Sequence, residues 1–345
     1  MKKLRNATRE EKAKIEDAWL NIDIRDDYIL NPLKDIPEAA VEEPYIFFSY
    51  AMGRPQYFAA FCKYVMNIDM LPFQSVIQAN LYNYKFPMLI ASRGGSKSWS
   101  LGLYCLLRMV FMPNRKIIVC GAGFRQSKLI FEYMDGFWQN APLLRDMVND
   151  TKVGGFKDTD MWRFLMNGGY TACLPVGTGD KIRGQRANDL IVDEFSSINP
   201  AIFETVMAGF AAVSSDPFGN SARAAARHEA ERLGIELEFD TSKDIIKSNQ
   251  IVISGTAYYS FNHFAAYWRR WKAIINSKED PKALEEHYPA GIPKDLNAED
   301  YSIIRIPVEL IPEDFMDMGQ IARTKGSINA GVYANEYGAV FSADS

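Results

Sequence analysis

Short apolar runs rich in β-branched residues recur along the chain and alternate with stretches of helical period. PMLIAS (87–92), KIIVCG (116–121), DLIVDE (189–194) and NQIVISGT (249–256) are such runs, the pattern of strands covered on both faces. Between them, SWSLGLYCLLRMVF (98–111) and RQSKLIFEYMDGFWQ (125–139) repeat apolar residues at helical spacing. Strand and helix in alternation predict an α/β chain with a mainly parallel central sheet flanked by helices. The segment MWRFLMNGGYTACLPV (161–176) predicts two strands joined at Asn167-Gly168-Gly169, a strong hairpin signal.

The two ends have a different texture. Residues 1 to about 40 are charged and polar, reading as a short helix and a Pro-punctuated connector, and Tyr45 to Ile68 is an aromatic-rich apolar stretch that predicts a buried helix. This gives an N-terminal helical lead-in over 1–60. Residues 219–248 are Ala- and charge-rich and predict an exposed helical insertion in a core that runs over 61–260. Beyond it, aromatic and basic residues mix in FNHFAAYWRRWK and a polar, Pro-containing stretch follows at 277–300. Residues 261–345 are therefore expected to form a small lid or linker subdomain.

Composition narrows the class. A chain of 345 residues with 48% hydrophobic and 13% aromatic content can bury a sizeable core. No run of about 18 apolar residues appears, and the basic amino terminus has no apolar run after it, so a membrane span and a signal peptide are not expected and the cytoplasm is. Four cysteines without CxxC spacing read as reduced core residues, and three scattered histidines offer little for a zinc site or a histidine-activated nucleophile. A net charge of -4 excludes coating of nucleic acid by bulk positive charge, so any DNA contact must be local.

The candidate chemistry lies at two strand ends. In ASRGGSKS (91–98) an apolar strand runs through a Gly-rich loop into a helix, the context a phosphate-binding loop requires. The strict G-x-x-x-x-G-K-[ST] pattern fails at Ala91 and Ser96, while Lys97 and Ser98 are in place. Gly94 and Gly95 would let backbone amides approach phosphate oxygens, Lys97 would reach the β and γ oxygens, Ser98 would put its hydroxyl on Mg²⁺, and Arg93 adds a second cation. The bland alternative is a Gly-rich strand-to-helix turn with a surface lysine. At the other strand end, Asp193 and Glu194 close DLIVDE, where ligands of open α/β sheets bind. Asp193 is assigned to Mg²⁺ and Glu194 to the general base that polarises the attacking water. An isolated acidic pair also fits a solvated turn.

Taken in order, these pieces resemble the large terminase subunit of tailed bacteriophages, the DNA-packaging ATPase, from about Leu71 to the end. LPFQ (71–74) resembles its adenine-reading glutamine motif, with Gln74 as reader; Arg93 resembles its early P-loop arginine; KIRGQRANDLIVDEFSSI (181–198) resembles its RG-x-R segment and Walker B strand; ISGT (253–256) falls at its coupling motif; YANEYGAVF (333–341) resembles its closing segment. Ser96 departs from the usual glycine before the lysine.

The resemblance implies a RecA-like P-loop (ASCE-type) ATPase using ATP and Mg²⁺. Residues Gln74, Gly94, Gly95, Ser96, Lys97, Ser98 and Thr256 would hold the nucleotide, Thr256 would sense the γ-phosphate, and Arg183 or Arg186 would serve as arginine finger. The implied partners are double-stranded DNA, a portal protein, a small terminase subunit and further copies in a homo-oligomeric ring on the procapsid in the host cytoplasm. Large terminases usually continue into an RNase H-like nuclease domain. With the sequence ending at Ser345, the expectation is a motor without DNA cutting. Arg269, Arg270 and Lys272 are candidate backbone grips, or simply the wet face of an amphipathic helix. The rivals are a superfamily 2-type helicase, which needs a second RecA-like domain, and a non-catalytic capsid-associated structural protein, which the two missing glycines favour.

Overall fold

A computed structural model describes residues 55–121, 123–141, 162–176, 186–207 and 249–343, with short pieces at 19–20, 144, 156–157, 209, 228 and 232. The expected lead-in helix over most of 1–60 and the insertion at 219–248 fall almost wholly outside these residues, as does Arg183.

The described residues form a nine-stranded, mostly parallel sheet: β1 (Trp19–Leu20), β2 (Phe86–Ala91), β3 (Lys116–Gly121), β4 (Phe156–Lys157), β5 (Trp162–Met166), β6 (Gly169–Pro175), β7 (Asp189–Asp193), β8 (Gln250–Gly255) and β9 (Tyr301–Ile306). Their spatial order is β1-β9-β2-β8-β7-β3-β6-β5-β4. The run from β9 to β6 is parallel; β1, β5 and β4 pair antiparallel at the two edges. The four strands expected from their apolar runs are therefore all present. β9 is not among them: it lies inside the segment expected to form the lid, yet it pairs with β2 along its whole length, one strand in from the sheet's edge. Its YSIIRI string follows a polar stretch, and only pairing makes it a strand.

Seven helices matter for the site: α1 (Phe58–Tyr64), α2 (Pro72–Asn83), α3 (Lys97–Phe111), α4 (Phe124–Asn140), α5 (His263–Ser277), α6 (Met318–Ser327) and α7 (Ala330–Glu336). Side chains alternate across each strand, and both faces are covered. Leu89, Ala91, Ile117, Val119, Ile191 and Ile304 join α1–α4 in one core, whereas Met88, Ile90, Ile118, Leu190, Val192 and Ile303 join α5 in the other. The all-apolar strand runs follow from this double burial. All four cysteines are free and buried. Among the described residues no helix is long and apolar enough to cross a membrane.

The β5–β6 hairpin turns on Asn167 and Gly168, both left-handed with φ 51° and 74°, as a two-residue turn of the primed type demands. Asn167 Nδ2 donates to the carbonyl of Met109, tying the turn to the end of α3. Gly169 then passes so close to the backbone just before β3 that a Cβ there would lie 2.2 Å from the Arg115 carbonyl oxygen. Backbone cannot yield as a side-chain end can, so Gly169→Ala should cost more than about 2 kcal/mol, read as a shift of the urea midpoint at constant slope.

At the opposite end of the strands from the Gly-rich loop after β2 lies a buried ionic knot. Asp189, with no exposed surface, accepts from Arg108 (3.1 and 2.9 Å) and from Arg115 (2.8 and 2.6 Å). Burial pushes the Asp189 carboxyl up, but the two guanidiniums outweigh it and hold it below the usual range. Arg108 also lies over the rings of Tyr82 and Tyr104. The Tyr104 hydroxyl meets Gln250, whose amide donates to the carbonyls of Leu81, Tyr82 and Tyr84. The knot fastens α2, α3, β7 and β8 together.

Candidate functional site

Three neighbouring parallel strands end on the same edge of the sheet and deliver the site. β2 leads into the loop Ser92–Ser96 and then Lys97; β8 ends at Ser254, Gly255 and Thr256; β7 ends at Asp193 and Glu194. β8 sits between β2 and β7, so its end lies beside both the lysine and the acidic pair, which are far apart in sequence. In space they touch. Lys97 Nζ donates to Glu194 Oε1 at 2.6 Å and to Thr256 Oγ1 at 3.3 Å.

A cleft of about 790 Å³ opens over this point. The loop Ser92–Ser98 forms its floor, with Gln74 and Leu71 on one side, Gln126, Leu129 and Tyr133 of α4 on another, and Glu194, Thr256, Phe315 and Glu336 around the rim. α3 begins with no side-chain cap, which leaves the first-turn N–H groups and the positive end of the helix dipole at the cleft. Gly94 is left-handed at φ +78°, a conformation that costs most residues free energy and glycine little. Ser96 takes the same region at φ 56° with a side chain attached.

The electrostatics follow from burial. Lys97 is 11% exposed and Glu194 26%, too enclosed for an ordinary surface pair. Burial works against the Lys97 ammonium, but Asp193 and Glu194 overcome it and hold the group charged above the ordinary lysine range. Asp193 is 2% exposed; burial, with Glu194 beside it, raises its carboxyl in spite of Lys97. Ser254 Oγ donates to Asp193 Oδ1 at 2.7 Å. The donor set of Ser98 hydroxyl and the two carboxylates is all hard oxygen and suits Mg²⁺, which takes few protein ligands and keeps water and phosphate oxygens.

Of the residues singled out from the sequence, Gln74, Arg93, Gly94, Gly95, Ser96, Lys97, Ser98, Glu194 and Thr256 meet at this cleft, with Asp193 just beneath it. Arg186 does not join them. It is exposed and lies three residues before β7, whose first residue Asp189 is itself roughly 13 Å of strand away from Asp193. Arg93 is exposed but engaged: its Nε donates to Glu336 Oε2 and its backbone N–H to the Glu336 carbonyl, at 2.9 and 2.7 Å. Sequence reasoning missed Glu336, Ser254, Phe315 and Met316. Glu336 and Ser254 lie inside YANEYGAVF and ISGT, segments that were noticed for order rather than for these side chains. Phe315 and Met316, which cover the loop, carried no local signal.

Two of the basic trio of α5 are packed onto aromatics. Arg270 lies over Tyr267 and Tyr288, Lys272 over Trp268, and exposed Arg269 donates to the Ser260 carbonyl.

Fold and site together define the class: a RecA-like α/β fold with one strand between the strand that enters the Gly-rich loop and the strand that ends at the acidic pair. Solved structures that share the fold include large terminases of bacteriophages. The large terminase of bacteriophage HK97 superposes with a TM-score of 0.50 at 12% identity, over 84% of this chain and 55% of that one. The large terminase ATPase domain of Thermus phage P74-26 gives 0.49 at 11% identity, over 82% and 97%. This chain thus spans about half the length of the HK97 protein. No protein-family model and no curated protein matches the sequence.

Proposed function

We propose that this chain is the ATP-hydrolysing motor of a viral genome-packaging terminase, translocating double-stranded DNA into a procapsid. The observation that carries the reading is the Lys97–Glu194–Thr256 contact at the mouth of an uncapped helix, formed by three adjacent strand ends. A Gly-rich turn with a surface lysine or a solvated acidic turn has no reason to converge in this way. The HK97 likeness supports the fold on which the reading rests.

In this reading the amides of Gly94 to Ser98 and the Lys97 ammonium receive the β and γ phosphates of ATP. Mg²⁺, held through Ser98 and Asp193, would supply charge neutralisation on the phosphates. Lys97 exchanges its contact with Glu194 for phosphate oxygen, which frees Glu194 to take a proton from the attacking water. Thr256, 3.3 Å from Lys97 Nζ, senses whether the γ-phosphate is present. Arg93 leaves Glu336 for phosphate as the cleft fills, so the segment 307–343 acts as the lid of the division 1–60, 61–260 and 261–345. Arg183 and Arg186 remain the candidate fingers, and Arg186 could act only on a neighbouring copy in a ring. Portal protein, small terminase subunit and duplex DNA are the proposed partners, Arg269 the most accessible candidate grip, and the host cytoplasm the proposed setting.

Mg²⁺-dependent ATP hydrolysis, measured with and without duplex DNA at high protein concentration, tests the reading. Turnover stimulated by duplex supports a packaging motor; strand separation points to a helicase; no nucleotide binding at all leaves a structural protein. A finer check concerns Ser254. Its hydrogen bond favours the charged form of Asp193, so Ser254→Ala should raise that carboxyl further and move the acid limb of the pH–rate profile to higher pH, with turnover at pH 8 changed least.

A further inference from the structure

Gln74 has the position of a base reader but not a free amide. It is 4% exposed, and both ends of its side chain are occupied by the protein itself. Oε1 accepts the Leu71 backbone N–H at 2.8 Å, closing the first turn of α2, and Nε2 donates to Ser96 Oγ at 2.9 Å. The orientation is fixed by chemistry: a backbone N–H can meet only the oxygen of the amide, so the nitrogen must face the serine. Adenine recognition by an amide needs one donor and one acceptor directed at the base, and here the oxygen and the nitrogen each already hold a protein group on a side chain that is almost fully buried.

The residue that Gln74 does hold is the one under strain. Ser96 is left-handed at φ 56° and ψ 23° immediately before Lys97, where a non-glycine residue costs about as much as one hydrogen bond contributes. An orienting hydrogen bond from a buried amide offsets a cost of that size. The bond bridges the start of α2 to the start of α3, 22 residues away, and so sets the direction in which Lys97 leaves the loop.

Resting on the ATPase reading above, we infer that Gln74 is a positioning residue of the phosphate loop, compensating for serine where a glycine would need no support, and that discrimination between adenine and guanine does not run through it. The substitution Gln74→Ala should then weaken ATP and GTP alike, by about fivefold to tenfold for one lost hydrogen bond, and leave the ratio of the two affinities within twofold. In a Ser96→Gly background the same change should cost less than twofold, because glycine takes the left-handed conformation unaided.

The experiment is a double-mutant cycle on Gln74→Ala and Ser96→Gly, with Gln74→Met as a volume-preserving second variant. Mg-ATP and Mg-GTP binding by calorimetry and thermal midpoints without nucleotide are the readouts. A non-additive cycle with an unchanged ATP-to-GTP ratio is the expected result. Additive costs, or a ratio shifted by tenfold or more in either Gln74 variant, would overturn the proposal and restore Gln74 as a base reader. If the unaltered chain binds neither nucleotide, the ATPase reading fails instead, and the thermal-midpoint cycle still decides whether Gln74 supports Ser96.

Discussion

Glutamine in place of Glu194 should cut ATP turnover by about a hundredfold to ten-thousandfold, the usual contribution of a positioned general base, while nucleotide binding stays intact or tightens. The tightening follows from the 2.6 Å contact to Lys97. In the absence of nucleotide the lysine is paired, and phosphate has to displace Glu194 to reach it. A neutral amide competes less well, so the variant gives up less on binding. Lys97→Ala should behave differently, losing binding and turnover together, because it removes the cation that meets the phosphates in both ground and transition states. Calorimetric affinity measured beside single-turnover hydrolysis separates the two patterns. Glu194→Gln with hydrolysis within fivefold of the unaltered chain would sink the general-base assignment.

The second large effect is on stability. Asp189→Asn should destabilise the fold by about 3–5 kcal/mol, the cost of leaving a buried partner charge uncompensated. The site is severe because one carboxylate serves two enclosed guanidiniums, Arg108 and Arg115. Neither can retreat to water without opening the junction of α3 with β7. The sign of the pH dependence follows from the depressed Asp189 carboxyl. A group whose folded value lies below its unfolded one, near 3.9, contributes in full above that pH and loses its contribution as pH falls through the folded value. The gap in urea midpoint between unaltered chain and variant should therefore be flat from pH 5 to 8 and close under acid. A cost below about 1 kcal/mol at pH 7 would show that the knot is dispensable.

The two effects mark opposite ends of the same strand. β7 starts at the knot and ends at the acidic pair, so Asp189 fixes the strand's register while Asp193 and Glu194 use its far end. Loss of activity in Asp189→Asn should accordingly track loss of folded protein, whereas Glu194→Gln should leave the thermal midpoint nearly unchanged.

Local sequence alone specifies β2, β3, β7, β8, α3, α4 and the Asn167–Gly168 turn, because double burial, helical period and left-handed turns all leave a local imprint. It also marked Lys97, Ser98, Asp193, Glu194 and Thr256, since strand ends in an α/β chain are where chemistry collects. Strand order left no such imprint. That β8 lies between the Gly-rich loop and the acidic pair, and that Tyr301–Ile306 enters the sheet beside β2, depends on pairings between residues 61 to 215 positions apart. The partners of Gln74 and Arg93, namely Ser96 and Glu336, were likewise settled only by tertiary structure. A side chain's identity limits which groups it can bond, but which bond it forms depends on what the fold brings within about 3 Å of it.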